Sequence, residues 1–449
     1  MLNSSVRRPE PLLAATFAIL IAVGTGLLCL PAAQAEDRVG VLDALFTATS
    51  AVCVTGLITV DTATAWSRFG QTVILVLIQL GGLGIMTFGV IAAEVLRLRV
   101  SFAALAASRG ALFEHQLRGD LRSRLHRLLL LVLLVELFGF GLIHRGLESG
   151  AAPHGGRFEA AFLTVSAFCN AGFSIYSDNV AGLSSSPLIM GTLMALVIVG
   201  GLGYAVLLEV AGRAWNRLRG RGAGPVRWSL QTRVVLTGSA LLIVAGAVTL
   251  FVFGIDEARG SPAARLGHAV FQSVSARTAG FNTVRIEALP VPSLLILIAL
   301  MFVGGSPGSC AGGVKITTAA VWLARIGTRL TNREAVNIGG RQLPQDLVRR
   351  ATLLLALAAV WNLVGIMVLS LSEEAGTRVR FEHVMFEQVS AFGTVGLSAG
   401  LTPLLSPVGK IWIMASMFVG RLGPLTVALA MLKPARERFA YPPERIMIG

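Results

Sequence analysis

Four times along a chain of 449 residues, an apolar stretch runs into a short phrase that closes on a glycine. The phrases are SAVCVTGL (50–57), SAFCNAGF (166–173), SARTAGFN (275–282) and SAFGTVGL (390–397), and their glycines are Gly56, Gly172, Gly280 and Gly396. The intervals between these glycines are 116, 108 and 116 residues. One such glycine reads as close packing between membrane helices. Four copies, each behind a Ser-Ala pair, read instead as four equivalent units around one axis, each supplying one non-helical loop. The third phrase is one residue shorter before its glycine, so its register differs from the rest.

Composition sets the solvent. The chain is 54% hydrophobic and 14% charged, whereas a soluble domain carries about 25% charged residues. Apolar runs of roughly 20 residues predict spanning helices rather than a barrel. The net charge of +14 is not a nucleic-acid signature, because no basic segment carries interleaved aromatics or a known motif. Its distribution follows orientation. Segments 94–127, 212–233 and 325–350 and the tail from Lys433 hold seven, six, six and four Lys or Arg. The opposite loops (33–43, 144–159, 254–268, 372–382) hold ten acids and seven Arg. By the positive-inside asymmetry, both termini and the basic loops are expected in the cytoplasm of a multi-pass protein. The four cysteines show neither CxxC nor metal spacing and read as small buried hydrophobes.

Each unit reads as a spanning helix, a short half-buried helix, a glycine loop and a second spanning helix. First helices are expected near 11–32, 125–145, 232–254 and 349–371, and short ones near 41–52, 158–168, 264–277 and 381–392. Second helices are expected near 70–96, 187–211, 292–325 and 407–432. The short helices cannot cross a bilayer and suit re-entrant segments. The fold class is therefore an all-α integral membrane protein of four helix–pore-loop–helix repeats, with eight spanning and four re-entrant helices around one central pore. Its divisions are 1–96, 97–211, 212–325 and 326–449, the last including a cytoplasmic tail. The start imitates a secretory signal, with Arg7–Arg8, an apolar run and Ala-Gln-Ala before Glu36. Its apolar run is longer than a signal core of roughly 7–15 residues, so it reads as the first spanning helix.

Non-helical backbone at membrane depth is tolerated only where protein buries it or water lines it. Glycine permits positive φ, which lets neighbouring carbonyls turn toward a common axis. A ring of such carbonyls replaces the hydration shell of potassium. The candidate ion-binding residues are Val54, Thr55 and Gly56; Asn170, Ala171 and Gly172; Thr278, Ala279 and Gly280; and Thr394, Val395 and Gly396. A second feature lies at MFVGGSPGSCAGGVKITT (301–318). Gly304, Gly305, Gly308, Gly312 and Gly313 with Pro307 cannot hold a continuous helix. The stretch from Gly304 through Ser306, Ser309, Cys310 and Ala311 to Gly313 is thus a break inside the membrane, read as a gate or as a glycine-rich kink. Arg421 lies midway along an apolar segment, where a charge must face a cavity or a partner. Counted from the filter glycines, Arg421 matches Gly82, Gly201 and Gly305. A cation just below a filter opposes potassium, although an arginine bonded to loop carbonyls fits the same place. Arg277, Glu387 and Glu136 read as structural pairing groups, Asp43 and Asp61 as surface acids near the outer mouth, and Lys315 stays open between hinge and interface.

With these residues in place, the chain resembles the potassium-translocating subunits of the Trk, Ktr and HKT superfamily over essentially its whole length. Thr394-Val395-Gly396 resembles the start of the potassium-channel signature TVGYG, and the segment from Ser275 to Thr283 resembles the superfamily's third pore loop. The chain is most similar to the KtrB type, because it has no room for the two extra N-terminal helices of the Trk type. The resemblance implies potassium uptake across a bacterial plasma (inner) membrane, with potassium as substrate and no cofactor on this chain. It also implies a homodimer in membrane lipid, each protomer with its own pore, seated on a cytoplasmic KtrA-like ring of RCK subunits that binds the nucleotide. The alternatives are a Trk-type or a sodium- or proton-coupled alternating-access transporter. An intramembrane enzyme finds no support: there is no HExxH and no Ser/His or Asp pair at membrane depth.

Overall fold

The computed structural model describes residues 9–35, 38–99, 121–151, 156–219, 228–254, 261–373 and 380–424. The tail from Lys433 lies outside these residues, as do parts of the loops expected on both membrane faces. Repeat one contains α1 (Pro9–Leu28), the pore helix α2 (Val41–Val52) and α3 (Arg68–Arg99). Repeat two contains α4 (Leu121–Gly146), the pore helix α5 (Arg157–Phe168), α6 (Pro187–Gly201) and α7 (Tyr204–Leu218). Repeat three contains α8 (Leu230–Phe253), the pore helix α9 (Pro262–Ser275), α10 (Val291–Phe302) and α11 (Ile316–Leu330). Repeat four contains α12 (Gln345–Glu373), the pore helix α13 (Phe381–Gly393) and α14 (Pro407–Leu422). A two-residue hairpin, β1 (Asn337–Ile338) with β2 (Arg341–Gln342), joins repeats three and four.

Local chemistry starts these helices. Ser186, Ser261 and Ser406 each precede a proline at the first helical position and accept from the backbone N–H groups of Ile189, Ala264 and Gly409. That pairs an N-cap with a residue whose missing N–H costs nothing there. Ser406 is itself held by the buried Glu373, which accepts from its N–H at 3.0 Å and its hydroxyl at 2.7 Å. Among the described residues, α4, α8 and α12 are long and apolar enough to cross a membrane alone. The pair α6 and α7 passes only together, bent by 111°.

The repeats interlock in one direction. Each second helix packs on the pore helix of the next repeat: α3 on α5, α6 on α9, α10 on α13, and α14 back on α2. Within a repeat, glycines bring the second helix close to its own pore helix. A Cβ on Gly81, Gly200 or Gly420 would overlap the carbonyl oxygen of Val52, Phe168 or Phe392, at the end of its own repeat's pore helix.

Gly200→Ala is therefore expected to lower the melting temperature in detergent, with an overpacking cost of about 1–3 kcal/mol. A Cβ on Gly191 of the same helix meets nothing within 4 Å. Gly191→Ala should leave the melting temperature unchanged or raise it, since alanine is the better helix former by about 1 kcal/mol. Equal effects of the two changes would remove the packing role of Gly200.

Candidate functional site

Each pore helix ends within its glycine phrase, so four helix C-termini, the negative ends of their dipoles, converge on one region. The first residue of each triplet turns left-handed: Val54 (φ 56°), Asn170 (59°), Thr278 (74°) and Thr394 (49°). The glycines two residues on do the same, at 92°, 68°, 77° and 93°. Non-glycine residues in this region cost about 1–3 kcal/mol each and persist where surroundings impose them. The serine of each phrase is one such constraint. Ser50, Ser166, Ser275 and Ser390 accept through their carbonyls from the N–H groups of Thr55, Ala171, Ala279 and Val395, at 2.7 to 2.9 Å. Their hydroxyls buckle the loop from its other side. Ser166 and Ser390 donate to Phe173 and Leu397 carbonyls at 2.7 and 2.6 Å, Ser275 donates to Phe281, and Ser50 accepts from Gly56 N–H at 3.0 Å.

The four loops close a ring. A Cβ on Gly56 would overlap the carbonyl oxygen of Ala171, one on Gly172 that of Ala279, one on Gly280 that of Val395, and one on Gly396 that of Thr55. Every loop thus places its glycine against the middle carbonyl of the next repeat, and the fourth returns to the first. The non-glycine filter residues are at most 1% exposed. Of the twelve filter carbonyls, only that of Gly172 accepts a hydrogen bond among the described residues, from Asn179 Nδ2 at 3.2 Å. Buried carbonyls are ordinarily paired, so eleven backbone oxygens without a hydrogen-bond partner among the described residues are available as ligands.

Beneath the ring lies the segment between α10 and α11. Gly304 N–H donates to Val314 O at 2.9 Å, and Ile316 N–H to Gly305 O at 3.0 Å, which pins the two ends together. The crest rests on repeat two: Ser306 N–H donates to Gly201 O (3.0 Å), Cys310 N–H to Gly200 O (3.2 Å), and Tyr204 N–H to Gly308 O (3.1 Å). Gly312 abuts Thr394 so closely that a Cβ there would overlap its side chain, which sets the loop directly against filter four. Three cations hold it. Arg421, 3% exposed, donates through Nη1 to Cys310 O and through Nη2 to Gly81 O at 2.8 Å. Lys315 Nζ donates to Ala311 O at 2.5 Å and Gly312 O at 3.4 Å, and Arg277 Nη2 to Gly304 O at 3.2 Å.

The acids read from sequence take structural places. Glu387 clamps the segment after filter four: it accepts from Ser398, from Ala399 N–H (3.1 Å), from Leu401 N–H (3.3 Å) and from Thr402 Oγ1 (2.7 Å). Glu136 accepts from Gln79 Nε2 at 3.0 and 3.2 Å. Asp43 pairs with Lys410 at 2.6 Å and Asp61 accepts from Ser177 Oγ at 2.5 Å, so both tie neighbouring repeats together. One element departs from the sequence reading. The second helix of repeat two, expected unbroken over 187–211, breaks at Leu202–Gly203, where Gly203 takes φ 80° and meets Pro307 O and Ser306. The glycines at 200, 201 and 203 were the available signal.

Four re-entrant helices that end in a ring of buried backbone oxygens, above a buried loop, define a pore-forming membrane transport protein, not an enzyme. The chain belongs to the TrkH family of cation transport proteins, whose model matches residues 7–439. It is 34% identical to the potassium/sodium uptake protein NtpJ of Enterococcus hirae, over 98% of this chain and 97% of that protein. Ktr system potassium uptake protein B of Bacillus subtilis is 33% identical over 98% of this chain and 97% of its own, and that of Vibrio alginolyticus 34% over 94% and 91%. The crystal structure of the potassium transporter TrkH from Vibrio parahaemolyticus shares the fold with a TM-score of 0.75, covering 96% of this chain and 86% of that one at 17% identity.

Proposed function

We propose that this protein is a potassium-selective uptake pore of the KtrB type in the bacterial inner membrane, with both termini cytoplasmic. The observation that carries the reading is the closed ring of carbonyls that accept almost no hydrogen bonds. Oxygens held by backbone geometry replace a hydration shell without the reorganisation that flexible side chains would need. The repeats divide at 1–96, 97–211, 212–325 and 326–449. The filter triplets at Gly56, Gly172, Gly280 and Gly396 bind the ion, and the loop from Gly304 to Gly313 with Arg421 closes the path beneath. The names of the Ktr relatives support potassium as the substrate. Purified chain in liposomes should pass potassium and rubidium well ahead of sodium. Gly56→Ser puts a side chain at φ 92° and into Ala171 O, so it should drive the potassium-to-sodium ratio toward unity. An unchanged ratio in that variant removes repeat one from the filter.

The gate reading rests on the cations that fasten the loop. Arg421 places a positive charge beside the ion path and ties Cys310 to Gly81, so moving the loop away breaks at least one of these contacts. Arg421→Ala should raise resting potassium flux while keeping selectivity. It should also cost about 1–3 kcal/mol of stability for each carbonyl left unpaired. A folded variant with parental resting flux places the gate elsewhere.

As its working assembly, a homodimer in lipid sits on a cytoplasmic ring of KtrA-like RCK subunits, which hold the nucleotide. The basic cytoplasmic segments and the Ktr-system names of the relatives support this. Co-purification with a KtrA-like protein should weaken when the chain is truncated after Lys433. Full binding and regulation after truncation would exclude the tail as a docking element.

A further inference from the structure

Three of the four cysteines gather beneath the filters. Cys53 and Cys169 immediately precede Val54 and Asn170 at the ends of α2 and α5, and Cys310 lies in the loop under the ring. All three are fully buried. Cys169 and Cys310 come from different repeats. Both lie against one point on α3: a Cβ on Gly82 would sit 2.6 Å from Cys169 Sγ and 3.5 Å from Cys310 Sγ. The pair is also oriented. Cys169 Sγ donates to Gln79 Oε1 at 3.4 Å, and Gln79 is held in turn by Glu136. Cys310 is fixed through its carbonyl by Arg421 and through its N–H by Gly200 O.

We propose that Cys169 and Cys310 form a two-thiol binding site for a soft d10 monovalent cation of the copper(I) and silver(I) class. Thiolate ligands select such ions over potassium, which prefers oxygen. Binding replaces the two thiol protons with metal. Each thiol releases one proton to solvent, each sulfur forms one bond to the metal, and no electron changes hands. The product carries one net negative charge, and the buried Arg421 guanidinium, bonded to the carbonyl of Cys310, is the cation placed to offset it. The metal then fastens the loop to the end of α5 by two metal–sulfur bonds. Binding depends on the thiols alone, whereas its effect on flux rests on the gate reading above.

The test uses the full chain in liposomes in chloride-free nitrate buffer, with silver nitrate as the probe. Retained silver per chain is measured after a desalting column, and potassium flux is recorded relative to each variant's own silver-free value. The parent should retain one silver per chain. Cys169→Ser and Cys310→Ser, and the corresponding alanine variants, should each weaken retention at least about tenfold, the scale on which metal sites suffer even from loss of an outer partner. The double variant Cys29→Ser/Cys53→Ser should bind silver like the parent. Silver retained equally by both single variants, lost in the double variant, or not retained by the parent overturns the site. Retention with unaltered flux supports the site and counts against the loop as the gate.

Discussion

The structure depends on one repeated contact, the approach of each filter glycine to the middle carbonyl of the next repeat. It leaves no room for a side chain, runs in one direction, and closes after four steps. Each pore helix is gripped in the same sense by the second helix of the preceding repeat. The two layers of contact therefore share one handedness. No filter is complete within its own repeat: the oxygen that limits each glycine belongs to a segment more than a hundred residues away. Bilayer hydrocarbon gives helices little hydrophobic reason to associate, so close backbone approach at glycines has to carry much of the assembly.

The ring is nearly fourfold, but what lies below it is not. In repeats one, two and four, a glycine of the second helix rests on the end of the pore helix, at Val52, Phe168 and Phe392. In repeat three Arg277, two residues beyond the end of the pore helix, takes the carbonyl of Gly304 with its guanidinium instead. The helix stops there, and the chain folds under the ring before resuming as α11. Repeat four answers with Arg421, where the other repeats have Gly82, Gly201 and Gly305. Its guanidinium reaches one carbonyl in repeat three and one in repeat one. Burying a cation is costly unless it is well bonded, so a shift of the loop that took Cys310 O away would leave Arg421 with one of its two carbonyls.

Much of this was legible in the sequence, for local reasons. Pore helices expected at 41–52, 158–168, 264–277 and 381–392 occur at Val41–Val52, Arg157–Phe168, Pro262–Ser275 and Phe381–Gly393. The filter phrases bound them at their C-terminal ends, and one of the four, at Pro262, also has a Ser-Pro start. The break between α6 and α7 was not foreseen, because apolar residues continue across it and periodicity registers content rather than direction. Gly203 turns the chain to meet Pro307, a partner that only the folded repeat three supplies. The last helix, expected to 432, ends at Leu422 before Gly423 at φ 88°, and residues from 425 lie outside the described structure. The adjacency of Cys169 and Cys310 was invisible for the same reason as the ring: neither contact has a short-range signature.

The ring also explains why the four motifs agree so little in sequence. Their first residues are Val, Asn, Thr and Thr, and their middle residues Thr, Ala, Ala and Val. If side chains held the ion, such variation would give four different ligands and a lopsided site. Backbone oxygens are the same whatever side chain they accompany, so these positions are free to answer to their own surroundings. Thr394, for example, answers to Gly312 beneath it. The third position has no such freedom. Its Cβ would lie where the neighbouring carbonyl oxygen sits, in a backbone conformation that side chains resist. One residue type at four places, with almost anything before it, is what a ring built from main-chain oxygens requires.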